Sequence, residues 1–251
     1  MLNGLEIWQF LAIAGAFFAA GTVKGILGLG LPLVAVPLVA SVTEPAMAIA
    51  LLAVPALSSN GWQAVQTGHQ GEVFRRFWPL LVALVAGVLI GAQFLADLDP
   101  RLIARGLGTV VLVFVASRIL PVRFTVSSRA EGRVGVLFGM VAGLIGGATS
   151  FFGPVLAPYL VALNLAKDLF VSAIALFFLM GYIPLYASLA VNGLLGLDQI
   201  VASTLLGAIP VAAGLALGRR LRRHVPQATF EHILLAIIAA IGVSLIVRSL
   251  G

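Results

Sequence analysis

No cysteine occurs in the 251 residues, which excludes disulfides and thiolate metal sites. Charge is also scarce: Asp, Glu, Lys and Arg make up 10% of the chain, against roughly a quarter in an ordinary soluble domain. So few polar side chains cannot cover a water-soluble globule of this length. Acidic residues are missing wherever a membrane proton relay would need one. Glu6, Glu44, Glu72, Asp97, Asp99, Glu131, Asp168, Asp198 and Glu231 all fall at the ends of apolar runs or between them. His69, His224 and His232 show no metal-ligand spacing with one another or with carboxylates. There is no phosphate-binding nucleotide loop, and no serine has a histidine placed to activate it. The expectation is a protein that is not an enzyme and carries no cofactor or metal.

The remainder is overwhelmingly apolar. Hydrophobic residues make up 61% of the chain and the mean hydropathy is +1.14. The apolar runs are long and do not alternate, so the fold class expected is an all-α integral membrane protein rather than a barrel. The net charge of +6 does not point to nucleic acid, because the basic residues sit in short gaps between apolar runs. The amino terminus lacks a basic n-region and a small-residue cleavage site, so the first apolar run is expected to be retained.

Ten apolar segments can be traced, at about 7–23, 26–42, 46–62, 77–96, 102–120, 134–145, 151–165, 169–189, 199–217 and 230–247. A full span needs about 20 residues. The third to fifth and eighth to tenth segments meet that length. The first, second, sixth and seventh are shorter, and the sixth and seventh are expected not to cross unaided. A shift of 121 residues lays Gly25 on Gly146 and Pro37 on Pro158; a shift of 127 lays Gly87 on Gly214 and Gly91 on Gly218. The chain therefore reads as a first repeat (1–122), a connecting loop (123–133) and a second repeat (134–251), each with five segments. An odd number of crossings per repeat turns the second copy upside down, which is the inverted-repeat plan of many secondary transporters. Charge supports the same count. If connections alternate sides, twelve Lys and Arg residues collect on one side and three on the other. The positive-inside rule then makes the loop at 123–133 cytoplasmic and puts both termini outside.

Two stretches break the apolar pattern at corresponding places, Ala20–Pro37 and Val141–Pro158. Interrupted helix inside lipid is tolerated where it faces protein, water or ligand. In the first, Lys24 is the nearby cation, with the amides of Gly25, Gly28 and Gly30 and the start of the next helix as further anion donors; a lysine that only orients its span is the competing reading. In the second, Thr149 and Ser150 offer hydroxyls while Gly146, Gly147 and Gly153 free the backbone, with Pro154 suited to a first helical turn. Packing through small residues competes there. Asn60 and Tyr182 could line a polar pathway or bond a neighbouring helix, and Tyr186 shares the Tyr182 face at i, i+4.

With these breaks, the two-fold repeat, and the paired motifs Gly87–Gly91 and Gly214–Gly218, the chain resembles the TauE/SafE sulfite-exporter family over nearly its whole length. It departs from the family pattern at Lys24, where many members carry an uncharged residue. The resemblance implies a secondary carrier of small sulfur anions, such as sulfite, sulfonates or sulfoacetate, across the bacterial inner membrane. The expected function is alternating-access transport of such an anion; the alternatives are a passive anion channel or a carrier of non-sulfur organic anions. Expected partners are the substrate anion and the lipid bilayer, with no nucleic acid and homo-oligomerisation left open.

Overall fold

The computed structural model describes residues 6–27, 30–97, 99–119, 125–127, 129–221 and 227–250. Among them the chain is helical and contains no strand, as long apolar runs without alternation predict. The helices are α1 (Ile7–Leu27), α2 (Leu31–Ala40), α3 (Pro45–Leu51), α4 (Ala53–Thr67), α5 (Gln70–Asp97), α6 (Pro100–Ile119), α7 (Glu131–Thr149), α8 (Gly153–Ala162), α9 (Lys167–Val191), α10 (Leu197–Ala202), α11 (Ile209–Leu221) and α12 (Gln227–Arg248). A π-helical stretch, Ser203–Ala208, joins α10 to α11.

Among the described residues, five stretches are long and apolar enough to cross a membrane: Ile7–Ile26, Gln70–Leu95, Glu131–Thr149, Lys167–Val191 and Leu197–Leu221. Two sequence expectations are corrected here. The segment at 134–145 was expected to be too short, yet α7 runs for 19 residues straight through Gly143, Gly146 and Gly147. Packing overrides the low helix propensity of glycine at these positions. The segment at 46–62 was expected to be one unbroken span, but it bends by 41° between α3 and α4.

The chain forms two compact units, and neither is one continuous stretch of sequence. The first takes Met1–Pro55, Leu98–Ile119 and Gly193–Gly251; the second takes Ala56–Asp97 and Leu120–Asn192.

In the first unit α1 crosses α11 backbone to backbone. A Cβ on Gly25 would lie 2.8 Å from the Leu215 carbonyl oxygen and 2.9 Å from the Gly218 Cα, and one on Gly21 would lie 2.5 Å from the Val211 carbonyl oxygen. Only glycine permits this approach, which is how small residues at four-residue spacing join helices in lipid. α2 follows as a ten-residue helix whose residues Leu31 to Pro37 are all buried. At 1.5 Å per residue it extends about 15 Å, half of a hydrocarbon core. The Gln9 side-chain amide donates to the Val42 carbonyl at 2.8 Å, so the chain beyond α2 comes back to the start of α1. Arg248 donates to the Ser41 carbonyl at 3.1 Å, and Arg105 to that of Ser249 at 2.6 Å. These bonds gather polar groups at one end of the unit.

The second unit repeats the motif with α5 and α7. A Cβ on Gly147 would lie 2.5 Å from the Val88 carbonyl oxygen, one on Gly143 2.8 Å from the Gly87 Cα, and one on Gly87 3.0 Å from the Gly143 Cα. Each crossing sets two glycines four residues apart on one helix against two on the other: Gly21 and Gly25 with Gly214 and Gly218, and Gly87 and Gly91 with Gly143 and Gly147. At the start of α5, Arg76 grips Glu131 of α7 through Nε at 2.6 Å and Nη2 at 2.9 Å. The Tyr159 hydroxyl of α8 donates to the Glu131 carbonyl at 3.1 Å, and the Val126 amide donates to the Ala162 carbonyl at 3.3 Å. The end of α8 thus returns to the start of α7, so α7 and α8 form a hairpin of one long and one ten-residue helix.

Candidate functional site

The turn of the second hairpin is built from residues with few alternatives. Ser150 closes α7 in the left-handed region, with φ 68° and ψ 7°, a conformation that strains a residue with a side chain by on the order of 1–3 kcal/mol. Its amide still reaches the Gly146 carbonyl at 2.7 Å. Thr149 uses its hydroxyl locally: Oγ1 donates to the Ile145 carbonyl at 2.6 Å and accepts from the Phe151 amide at 3.3 Å. α8 then begins at Gly153, with Pro154 in its first turn.

Phe152 plugs the space beneath this turn. Its ring lies against the backbones of Gly146 and Gly181, where a Cβ would collide with it, and packs at 5.1 Å on Tyr182 and 6.3 Å on Phe178. Tyr182 stacks on Tyr186 with ring centroids 5.7 Å apart and planes 14° from parallel. The Tyr182 hydroxyl donates weakly to the Ser150 carbonyl at 3.5 Å. Ser150 and Tyr182 are fully buried and Tyr186 is 4% exposed. Ser150 is the polar neighbour of both phenols, yet neither Ser150 Oγ nor the Tyr186 hydroxyl makes a hydrogen bond of acceptable geometry. Ser172 Oγ of α9 is also buried without a hydrogen bond; buried polar atoms are nearly always partnered, so these three stand out among the described residues.

The turn therefore brings together Gly146, Ser150 and Tyr182 of the residues expected from sequence. Gly153 sits at the start of α8, where a Cβ would touch Phe178 at an ordinary 3.4 Å. Thr149 faces its own helix, and Gly147 serves the crossing with α5. Asn60 is buried in α4 and donates to the Ala56 carbonyl at 2.8 Å, one turn back along its own helix. Tyr186, which the sequence placed on the Tyr182 face without singling it out, joins the turn, and Phe152 is the residue the sequence reading passed over. The signal for Tyr186 was its i, i+4 spacing from Tyr182; nothing local distinguishes Phe152 from other apolar core residues.

In the first unit Lys24 is 7% exposed and occupies the last turn of α1, where a cation complements the helix dipole. Gly25 is part of the α1–α11 crossing, so its place in the sequence is explained by packing. Gly30 turns the chain into α2 with φ 101°. Gly28 lies outside the described residues. Lys24 is the one buried formal charge among the described residues, and no group of three metal-ligating side chains occurs among them.

The family profile described as sulfite exporter TauE/SafE matches residues 13–245. The chain belongs to the TauE/SafE family. No curated protein and no solved structure matches it. The apolar helices and the match agree in making this TauE/SafE protein a multi-pass membrane protein of a family of sulfur-anion exporters. For a TauE/SafE protein, buried hydroxyls at a broken helix and a buried lysine are chemically apt, because both can donate hydrogen bonds to anionic oxygen.

Proposed function

We propose that this TauE/SafE protein is a secondary carrier of a small sulfur-containing anion in the bacterial inner membrane, working by alternating access. The observation that carries the reading is the buried, unsatisfied pair of Ser150 Oγ and the Tyr186 hydroxyl at the turn of a hairpin in a member of an anion-exporter family. Ser150 and Tyr182 supply donors for the oxygens of the anion, and Lys24, in the other compact unit, is a separate buried positive charge. The remaining sequence candidates have supporting roles: Gly146 makes room for Phe152, Gly25 and Gly147 hold helix crossings, and Thr149 stiffens the turn.

The two repeats enter the membrane in opposite orientations with both termini outside. What supports this is the charge bias of the connections and the matching glycine crossings in the two units. Arg76 and Glu131, which the charge count puts on the cytoplasmic side, also pair with each other.

The test is uptake of labelled sulfite and taurine by proteoliposomes containing wild type, Lys24→Gln or Lys24→Arg. Lys24→Gln is expected to insert normally and lose transport, and Lys24→Arg to keep a measurable part of it. Unchanged transport by Lys24→Gln removes the lysine from the mechanism.

A further inference from the structure

Within the carrier reading, on which this inference rests, we propose that Ser150, Tyr182 and Tyr186 form a charge-neutral subsite for a singly charged oxyanion head, a sulfonate or hydrogen sulfite. Tyr186 is its specificity-determining donor.

Three observations support this. First, Ser150 Oγ and the Tyr186 hydroxyl are buried neighbours, and neither makes a protein hydrogen bond of acceptable geometry, a state that Ser172 Oγ shares. A buried hydroxyl without a protein partner costs stability, and packing does not require the one on Tyr186. The ring of Tyr186 makes the stacking contact with Tyr182, and phenylalanine would stack equally well.

Second, Ser150 holds a left-handed backbone conformation in a stretch rich in glycine. Glycine at that position would relieve the strain, so the hydroxyl is present at a conformational cost. Tyr182 adds a third donor that is only weakly engaged at 3.5 Å. Three hydroxyls match the three oxygens of an SO3 group.

Third, the buried polar side chains of this unit are all neutral among the described residues: Asn60, Thr149, Ser150, Ser172 and Ser188, besides the tyrosines. The cost of taking an ion out of water rises with the square of its charge, and neutral donors offset only part of it. Such a subsite accepts a monoanion and rejects a dianion of similar shape.

The experiment is thermal unfolding of the purified full-length chain with methanesulfonate, hydrogen sulfite or sulfate at matched ionic strength. Wild type, Tyr186→Phe and Ser150→Gly are compared. Bound ligand raises the unfolding temperature by mass action. Wild type is expected to be protected by the two monoanions and not by sulfate. Tyr186→Phe and Ser150→Gly are expected to match or exceed the wild-type unfolding temperature without ligand. They should bind methanesulfonate roughly ten- to a hundredfold more weakly, the loss of one hydrogen bond to a charged group. A wild type protected by sulfate as well as by methanesulfonate overturns the monoanion assignment. Wild-type protection that persists undiminished in Tyr186→Phe overturns the role of Tyr186, as does a Tyr186→Phe that unfolds earlier while binding normally. Failure of every anion to protect wild type overturns the carrier reading itself.

Discussion

Pro55 has no amide hydrogen, so the Leu51 carbonyl one turn earlier has no helical donor. The Ser203 hydroxyl, on the π-helical stretch of the same unit, donates to that carbonyl at 2.7 Å and accepts from the Val54 amide at 3.0 Å. One side chain thus spans the break between α3 and α4. Gly207 lets the stretch come close, since a Cβ there would lie 3.0 Å from the Leu51 carbonyl oxygen. Ser203→Ala removes both bonds in a buried place and is expected to destabilise the protein by about 1–3 kcal/mol. Thr204→Ala is the matched control: its hydroxyl is exposed and bonds the Ile200 carbonyl of its own helix at 2.9 Å, so a change within about 0.5 kcal/mol is expected. Thermal or denaturant unfolding in detergent compares them. Equal effects would mean that the Ser203 bridge does not hold the break.

At the scale of helices, the crossings make a sharper claim. A methyl group added at Gly147 or Gly25 would be driven into the facing backbone, 2.5 Å from the Val88 oxygen or 2.8 Å from the Leu215 oxygen. Gly147→Ala and Gly25→Ala are each expected to cost about 1–3 kcal/mol as the helices are forced apart. Gly15→Ala, which meets nothing within 4 Å, should be neutral or gain up to about 1 kcal/mol from helix propensity. A stable Gly147→Ala protein would refute the close crossing.

The helices themselves were legible in the sequence, because hydropathy decides what enters a membrane. The short helix α8 was legible for a second reason: Pro154 marks its first turn. The bend at Leu52 was passed over although Pro55 marks it locally by withholding a donor from the Leu51 carbonyl; the Ser203 hydroxyl that bridges it lies about 150 residues away. The length of α7 was misjudged for a related reason. Gly143 and Gly147 look like breakers until Gly87 and Gly91 are known to lie against them. At the candidate site, Ser150 and Tyr182 could be chosen from residue type. That the Thr149 hydroxyl is spent on Ile145, while that of Tyr186 is left over, depends on geometry that composition does not carry.

For the molecule as a whole, the absence of cysteine gives a clean background for single-cysteine labelling. If both termini lie outside, as proposed, an impermeant maleimide applied to intact cells should label Asp198→Cys and spare Ser127→Cys until the membrane is opened. Both positions are exposed. The reverse pattern would invert the topology, and labelling of both from outside would discard the two-sided sorting of charge. The carrier claim itself is tested most directly by counterflow in proteoliposomes containing purified protein. Entry of labelled taurine or sulfite should saturate with concentration and accelerate when unlabelled substrate is loaded inside. Entry that rises linearly and ignores the internal substrate, or no entry at all, would contradict it.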